Sequence, residues 1–291
     1  MGAKFGPAGN SESFQAMGYR KTIQVPEYIT RMGLDAYEYQ CGRGVRISEE
    51  AARAFGEKAR EHQVILSLHS PYYISLSGIE EEKQLGSIEY ILQSARAADA
   101  MGAQRVVVHS GSCAKLSRQQ AMELAKDTLT RAYQRLDQEG LGHIHLCPET
   151  MGKLNQLGTL EEVLELCLLD ERLIPCIDFG HLNARTFGAL NSFEGIRQVF
   201  ETMENVLGLD RMRQFHAHFS KIEYTEKGGE KCHLTFADTV YGPQFEPVAE
   251  MIVRKNASPT IICESAGTQA EDAATMKRMY AQALAACGQA E

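Results

Sequence analysis

Six residues with metal-ligating side chains recur along the chain in step with its apolar runs: His69, His109, Glu149, Asp178, His216 and Glu264. Five of them close such a run, and His216 lies inside one. Successive members are 40, 40, 29, 38 and 48 residues apart, each of the order of one strand-plus-helix unit. One histidine or glutamate at a strand end is most often a satisfied polar group. Six in succession, all of metal-ligand types, call for a shared cause. Carboxylates and imidazoles packed together away from water need compensating charge, and divalent cations supply it. Three histidines and three carboxylates exceed a single tetrahedral zinc site. Carboxylates shared between two metals absorb the surplus, as in two-metal phosphoesterases.

Two further histidines belong with this set. His181 follows Asp178 by three residues in Asp178-Phe179-Gly180-His181, so both can line one loop. His233 lies in a long segment after the run that holds His216. His62 and His143 precede strand-like runs and read as structural, and His145 reads as a packing residue. His218, two residues after His216, faces the same side of a strand and is a candidate supporting residue. Other chemistries lack their signatures. There is no phosphate-cradling P-loop and no G-x-S-x-G elbow, and Gly42-Arg43-Gly44 is too short for a dinucleotide fingerprint.

These residues need a scaffold that brings successive strand ends together. Apolar runs at 36–40, 64–68, 105–108, 144–147, 173–177, 214–219 and 260–263, with a first strand near Lys4-Phe5, make eight. Their near-continuous apolar character fits parallel strands buried on both faces. Helical patterns lie between them at 48–62, 79–101, 117–138, 160–168, 192–207, 245–255 and 270–286. Eight such alternations predict an α/β fold, a closed (β/α)8 TIM barrel, with a doubly wound sheet as the alternative. No repeat, low-complexity tract or linker interrupts it, so residues 1–291 read as one domain with the metal site at its C-terminal mouth. Residues 220–243, rich in Gly, Lys and Glu, read as a long functional loop.

The composition is that of an ordinary globular chain: 44% hydrophobic, 23% charged, net charge −8. A broad basic nucleic-acid surface is disfavoured, although bound cations could supply local positive charge. No apolar run reaches the length of a membrane span, and the first residues lack the apolar core of a secretory signal. The eight cysteines form no C-x-x-C pair and read as reduced thiols. Together these lead to the expectation of a cytoplasmic protein without membrane partners.

In order and type, these residues resemble the endonuclease IV family of apurinic/apyrimidinic endonucleases. The likeness covers nearly the whole chain. It is carried by His69-Ser70-Pro71-Tyr72-Tyr73-Ile74, Val108-His109-Ser110-Gly111, Pro148-Glu149-Thr150, Asp178-Phe179-Gly180-His181 and Cys263-Glu264. The resemblance implies a TIM barrel holding two or three zinc ions, with manganese or iron as alternatives. The implied activity is hydrolysis of the DNA phosphodiester bond 5′ to abasic sites in base excision repair, by a monomer acting on damaged double-stranded DNA. By the same likeness, His69, His109 and Glu149 would hold one ion. Glu149, Asp178, His216 and Glu264 would hold a second, with Glu149 bridging as the catalytic carboxylate. His181 and His233 would hold a third. Tyr72 matches a tyrosine that enters DNA at the lesion, and Arg43, in the loop after the second strand, is a second expected DNA contact, where the family's pattern is not reproduced.

The chain departs from the family pattern in two further places. The family has an aspartate two residues before the loop histidine, where this chain has Lys231, with Glu230 one residue further away. A third site completed by water, rather than by Glu230 or left empty beside Lys231, is the expectation. After His216 the family reads Asn-Asp before Ser-Lys, where His218-Phe219 stand here. Two other classes compete. One is a xylose-isomerase-like sugar isomerase or epimerase with a single divalent metal, which would use Glu149, Asp178, His181, His216 and Glu264 but has no need of His69, His109 and His233. The other is a non-catalytic metal-dependent binding protein.

Overall fold

The structure is a computed structural model and describes residues 2–288. Eight parallel strands form the central sheet: β1 (Lys4–Pro7), β2 (Ala36–Gln40), β3 (Ile65–His69), β4 (Arg105–His109), β5 (His145–Glu149), β6 (Cys176–Asp178), β7 (His216–Phe219) and, after a hairpin described below, β10 (Thr260–Cys263). They pair in the order β1-β10-β7-β6-β5-β4-β3-β2. The two ends of that order meet through a parallel bridge between Ala8 and Glu38, so the sheet closes as the alternation of elements predicts. Closure draws β1 and β2 together so tightly that a Cβ on Gly6 would lie 1.9 Å from the Ala36 carbonyl oxygen. Only glycine fits there.

Helices cover the outside. The longest inter-strand helices, Glu81–Met101 and Arg118–Gln138, bury faces that include Ile88, Leu92, Leu129 and Leu136. Their boundaries follow local chemistry. Ser48, Ser117, Thr159 and Ser192 each accept a hydrogen bond from a backbone N–H in the first turn of the helix they precede, each cap contributing about 1 kcal/mol. Two short helices near the N-terminus, Glu12–Ala16 and Val25–Arg31, carry too few turns to show a periodic pattern in the sequence.

Residues 220–243 are not a plain loop. They hold an antiparallel hairpin, β8 (Ile222–Thr225) and β9 (Gly229–His233), in which Ile222 pairs with His233. The hairpin docks on the segment after β5 through a Lys153–Gly229 bridge and a hydrogen bond from the Glu230 N–H to the Gly152 carbonyl. No helix of the described residues is long and apolar enough to cross a membrane.

Candidate metal centre

The parallel register brings the predicted residues together. His69, His109, Glu149 and Asp178 are the last residues of β3, β4, β5 and β6, and Glu264 directly follows β10. Glu149 sits at the centre. One of its oxygens, Oε2, lies 3.4 Å from His69 Nε2 and 3.5 Å from His109 Nε2. The other, Oε1, lies 2.9 Å from His218 Nδ1 and 3.5 Å from His181 Nδ1. Burial alone would raise the Glu149 carboxyl, but the facing His218, His181 and His69 imidazoles hold it well below the usual carboxylate range.

The tautomers of two imidazoles follow from their partners. His69 Nδ1 lies 2.8 Å from the Ser70 carbonyl oxygen. A carbonyl only accepts, so Nδ1 carries a hydrogen and Nε2 is the nitrogen turned toward Glu149; burial alone would lower this imidazole, but the facing Glu149 carboxylate pushes it up to about 9. His181 repeats the device, with Nδ1 2.9 Å from the Thr150 carbonyl oxygen and Nε2 3.5 Å from Glu230 Oε2. His181 is not in a loop. Asp178 caps the helix Phe179–Arg185 by accepting from the His181 N–H through Oδ1, and the first turn of that helix presents the imidazole. Asp178 Oδ2 and Glu149 Oε2 are buried without a hydrogen-bond partner. Burial raises the Asp178 carboxyl, and Glu264 and Glu149 add to this against the pull of His181.

The structure differs from the sequence reading at His216. His216 is the first residue of β7, in register with Cys176 at the start of β6, whereas His218 is in register with Asp178. Two residues along the strand place His218, not His216, among Glu149, Asp178 and Glu264. His216 lies deeper in the barrel, its Nε2 3.0 Å from Glu38 Oε2, and burial pushes its imidazole down to about 4. Glu38, on β2, is the residue sequence reasoning missed. It is fully buried, accepts a hydrogen bond from the Ser67 hydroxyl, and sets its Oε1 3.0 Å from His218 Nε2. Burial would raise its carboxyl, yet His218 and His216 hold it well below the usual range. A single charged residue inside the run Ala36-Tyr37-Glu38-Tyr39-Gln40 is the available signal.

Glu230 also takes a place the sequence reading does not prefer for it. His181, Glu230 and His233 present donor atoms within 4.8 Å of one another, so a carboxylate stands where the sequence led us to expect water. Room for it comes from Gly152, where a Cβ would meet the Glu230 Cβ at 2.6 Å. Lys231 is half-exposed and pairs with Glu223 at 2.6 Å, away from the cluster. His233 Nδ1 is steadied by Ser220 Oγ at 2.9 Å.

These donors suit divalent cations. Three groups, His69–Glu149–His218, Glu149–Asp178–His218–Glu264 and His181–Glu230–His233, each bring ligand atoms within 4.8 Å. Imidazole nitrogens and carboxylate oxygens converge on the same points, where a cation can take the place of the protons between them, and Glu149 Oε2 and Asp178 Oδ2 are buried without a hydrogen-bond partner. Imidazole combined with carboxylate suits first-row divalent cations. His109 stands beside the first group, its ring 5.1 Å from that of His69. Beyond the cluster, the Tyr72 N–H donates to the Gly42 carbonyl at 3.1 Å, which joins the loop of Tyr72 to that of Arg43. Tyr72 is half exposed and packs on Tyr73 with ring centroids 4.4 Å apart. The remaining histidines stand elsewhere. His143 pairs with Asp99 at 2.9 Å on the surface, His145 donates to the Arg172 carbonyl at 2.8 Å, and His62 lies near Thr30.

A closed parallel barrel with ligating side chains at its C-terminal mouth defines a class, and comparison with known proteins agrees. The chain belongs to the xylose isomerase-like TIM barrel family, which it matches over residues 26–284. An uncharacterized protein of Methanocaldococcus jannaschii is 34% identical over 239 residues, 82% of this chain and 85% of that one. A probable endonuclease 4 of Mycoplasma pneumoniae is 26% identical over 159 residues, 53% of this chain and about half (52%) of that relative. Among solved structures, endonuclease IV from Thermus thermophilus superposes with a TM-score of 0.67 at 20% identity, covering 97% of this chain and 99% of that one. A D-tagatose 3-epimerase-like protein superposes with 0.69 at 21%, covering 90% and 93%. At such identities the two structures show the fold alone.

Proposed function

We propose that this chain is a metal-dependent phosphodiesterase of the endonuclease IV type, a cytoplasmic monomer that cuts damaged double-stranded DNA 5′ to abasic sites. The observation that carries the reading is the second donor group. A single-metal epimerase has use for Glu149, Asp178, His181, a β7 histidine and Glu264. It has none for His233 and Glu230, which complete the group around His181, or for the His69–His109 pair on the far side of Glu149.

Bound divalent cations neutralise phosphate charge and make a coordinated water more acidic. The chain's residues do the rest. Glu149, with both oxygens turned to different imidazoles, would hold bound cations as an anion shared by two donor groups. Ser70 and Thr150 orient the rings of His69 and His181 through Nδ1, so Nε2 is the nitrogen each would offer a cation in exchange for its proton. Glu38 steadies His218 from below. Tyr72 and Arg43, on joined loops, are the residues proposed to meet DNA, one by insertion and one at the phosphates. An abasic nucleotide has no base to unstack, which lowers the cost of drawing it into the mouth.

Elemental analysis of protein purified without chelators tests the reading. Two or more divalent ions per chain, mainly zinc, are expected. One ion or fewer, together with turnover of a ketose, would move the assignment to the epimerases.

A further inference from the structure

A second feature lies at the other end of the barrel, where the strands begin. A cavity of about 770 Å³ opens there, and four basic side chains line it: Lys4 at the start of β1, Arg60 in the helix Glu49–Glu61, Arg105 at the start of β4, and Arg213 just before β7. Among the described residues no carboxylate lines it, and none of the four has an acidic partner within ion-pair distance, whereas eight of the fifteen other arginines do. A chain of net charge −8 thus gathers four cations around one concavity.

Two of the guanidinium groups are held in place by carbonyls rather than by acids. Arg105 donates to the Gln214 and Phe215 carbonyls at 2.9 and 3.4 Å, and Arg213 donates through Nε to the Lys255 carbonyl at 3.0 Å. These bonds fix their direction and leave charge and further N–H groups uncommitted. Burial pushes the Arg105 guanidinium down. The Ser67 hydroxyl also lines the cavity, but its proton is committed to Glu38, so the cations dominate the recognition chemistry.

We propose that this N-terminal end of the barrel is an anion site for a small phosphate-bearing ligand, separate from the mouth. The cavity falls within the roughly 300–1,000 Å³ usual for small-molecule sites. It accommodates a phosphate with a body attached, and Gln104, Gln214 and Asn256 line it with neutral polar groups for that body. Arginine forks suit phosphate geometry.

Calorimetric titration of the metal-loaded protein with inorganic phosphate, at ionic strength held constant with sodium chloride, tests the site. Saturable binding is expected. It should weaken about tenfold or more in Arg105→Met and, separately, in Arg60→Gln. The second variant is exposed and free of structural bonds, so it reports even if the first folds poorly. His69→Ala, at the opposite end of the barrel, should lose only phosphate held at the metal centre and keep the binding that Arg60→Gln weakens. Competition by AMP would place the ligand among phosphorylated metabolites, and phosphate binding that AMP does not displace would place it among free anions. Absence of saturable binding to the parent would overturn the proposal. So would binding that His69→Ala abolishes and the basic-cavity variants leave intact, which would put the phosphate at the mouth.

Discussion

Replacing Gly152 by alanine tests how the hairpin builds its share of the mouth. The backbone at Gly152 has no left-handed requirement, so the added methyl acts through space alone. It would sit 2.6 Å from the Glu230 Cβ, 2.8 Å from Glu230 Oε2 and 3.1 Å from His181 Cδ2. Carbon atoms rest at about 3.5–4.0 Å, so Glu230 must retreat by roughly 1 Å. The hairpin resists, because the Glu230 N–H is tied to the Gly152 carbonyl itself. Overpacking of this kind costs about 1–3 kcal/mol. That corresponds to a fall in Tm of several degrees, at about 2–4 °C per kcal/mol for a chain somewhat smaller than this one. Displacing a ligating carboxylate should weaken the His181–Glu230–His233 site about ten- to hundredfold, the range seen when supporting groups of metal sites are disturbed. Zinc titration against a chromophoric chelator reads this as loss of the weakest-bound ion, with the Glu149-centred sites unchanged. Gly86→Ala is the control. It lies inside the helix Glu81–Met101 with nothing within 4 Å of the new methyl, and it should stabilise by about 0.5–1 kcal/mol. If Gly152→Ala binds the same number of zinc ions with the parent's affinities, Glu230 is not a ligand and the reasoning from packing is wrong.

Three further outcomes are expected. Glu38→Gln removes the anion opposite His216 and His218, and zinc affinity at the Glu149 sites should fall about ten- to hundredfold. In metal-free protein the Glu38 carboxyl is held low when folded, so its stabilising contribution is present above the ordinary carboxyl range and lost as pH falls. The variant should therefore show a shallower loss of stability in acid, and an unchanged acid limb would count against the role given to Glu38. His218→Ala should abolish binding of at least one ion while His216→Ala lowers stability and retains the full metal count, and the reverse result would restore the role the sequence pattern assigns to His216. Of eight cysteines, only Cys232 and Cys287 are exposed, and burial raises the Cys147 and Cys263 thiols to about 12. A thiol reagent at pH 8 should modify two groups in native protein and eight after denaturation. Cys232, its thiol raised by partial burial and Glu223, should react faster as pH rises further.

The barrel is legible because apolar runs alternate with helices. Five of the eight runs close in His or a carboxylate, and helices with side-chain caps follow β2, β4 and β5. His69, His109, Glu149 and Asp178 end strands, and Glu264 follows one, so their positions follow from the alternation alone. His216 and His218 are different. Both face one side of β7, and which reaches the mouth depends on the stagger of β7 against β6, which no periodicity encodes. Glu38 is hidden for a related reason: closing the barrel brings β2 across to β7, a contact between residues 178 apart. The hairpin at Ile222–His233 reads as a loop in the sequence because its strands are short and polar, and they are ordered by contacts with Gly152 and Lys153 rather than by their own pattern.

The most direct test is to incubate the zinc-replete protein with a duplex carrying one tetrahydrofuran abasic analogue and to resolve the products on a denaturing gel. A single nick 5′ to the lesion is predicted, with a 3′-hydroxyl that a polymerase extends, lost in Glu149→Ala along with bound metal. An intact duplex in the presence of fully metal-loaded protein, with a ketose epimerised under the same conditions, would contradict the assignment.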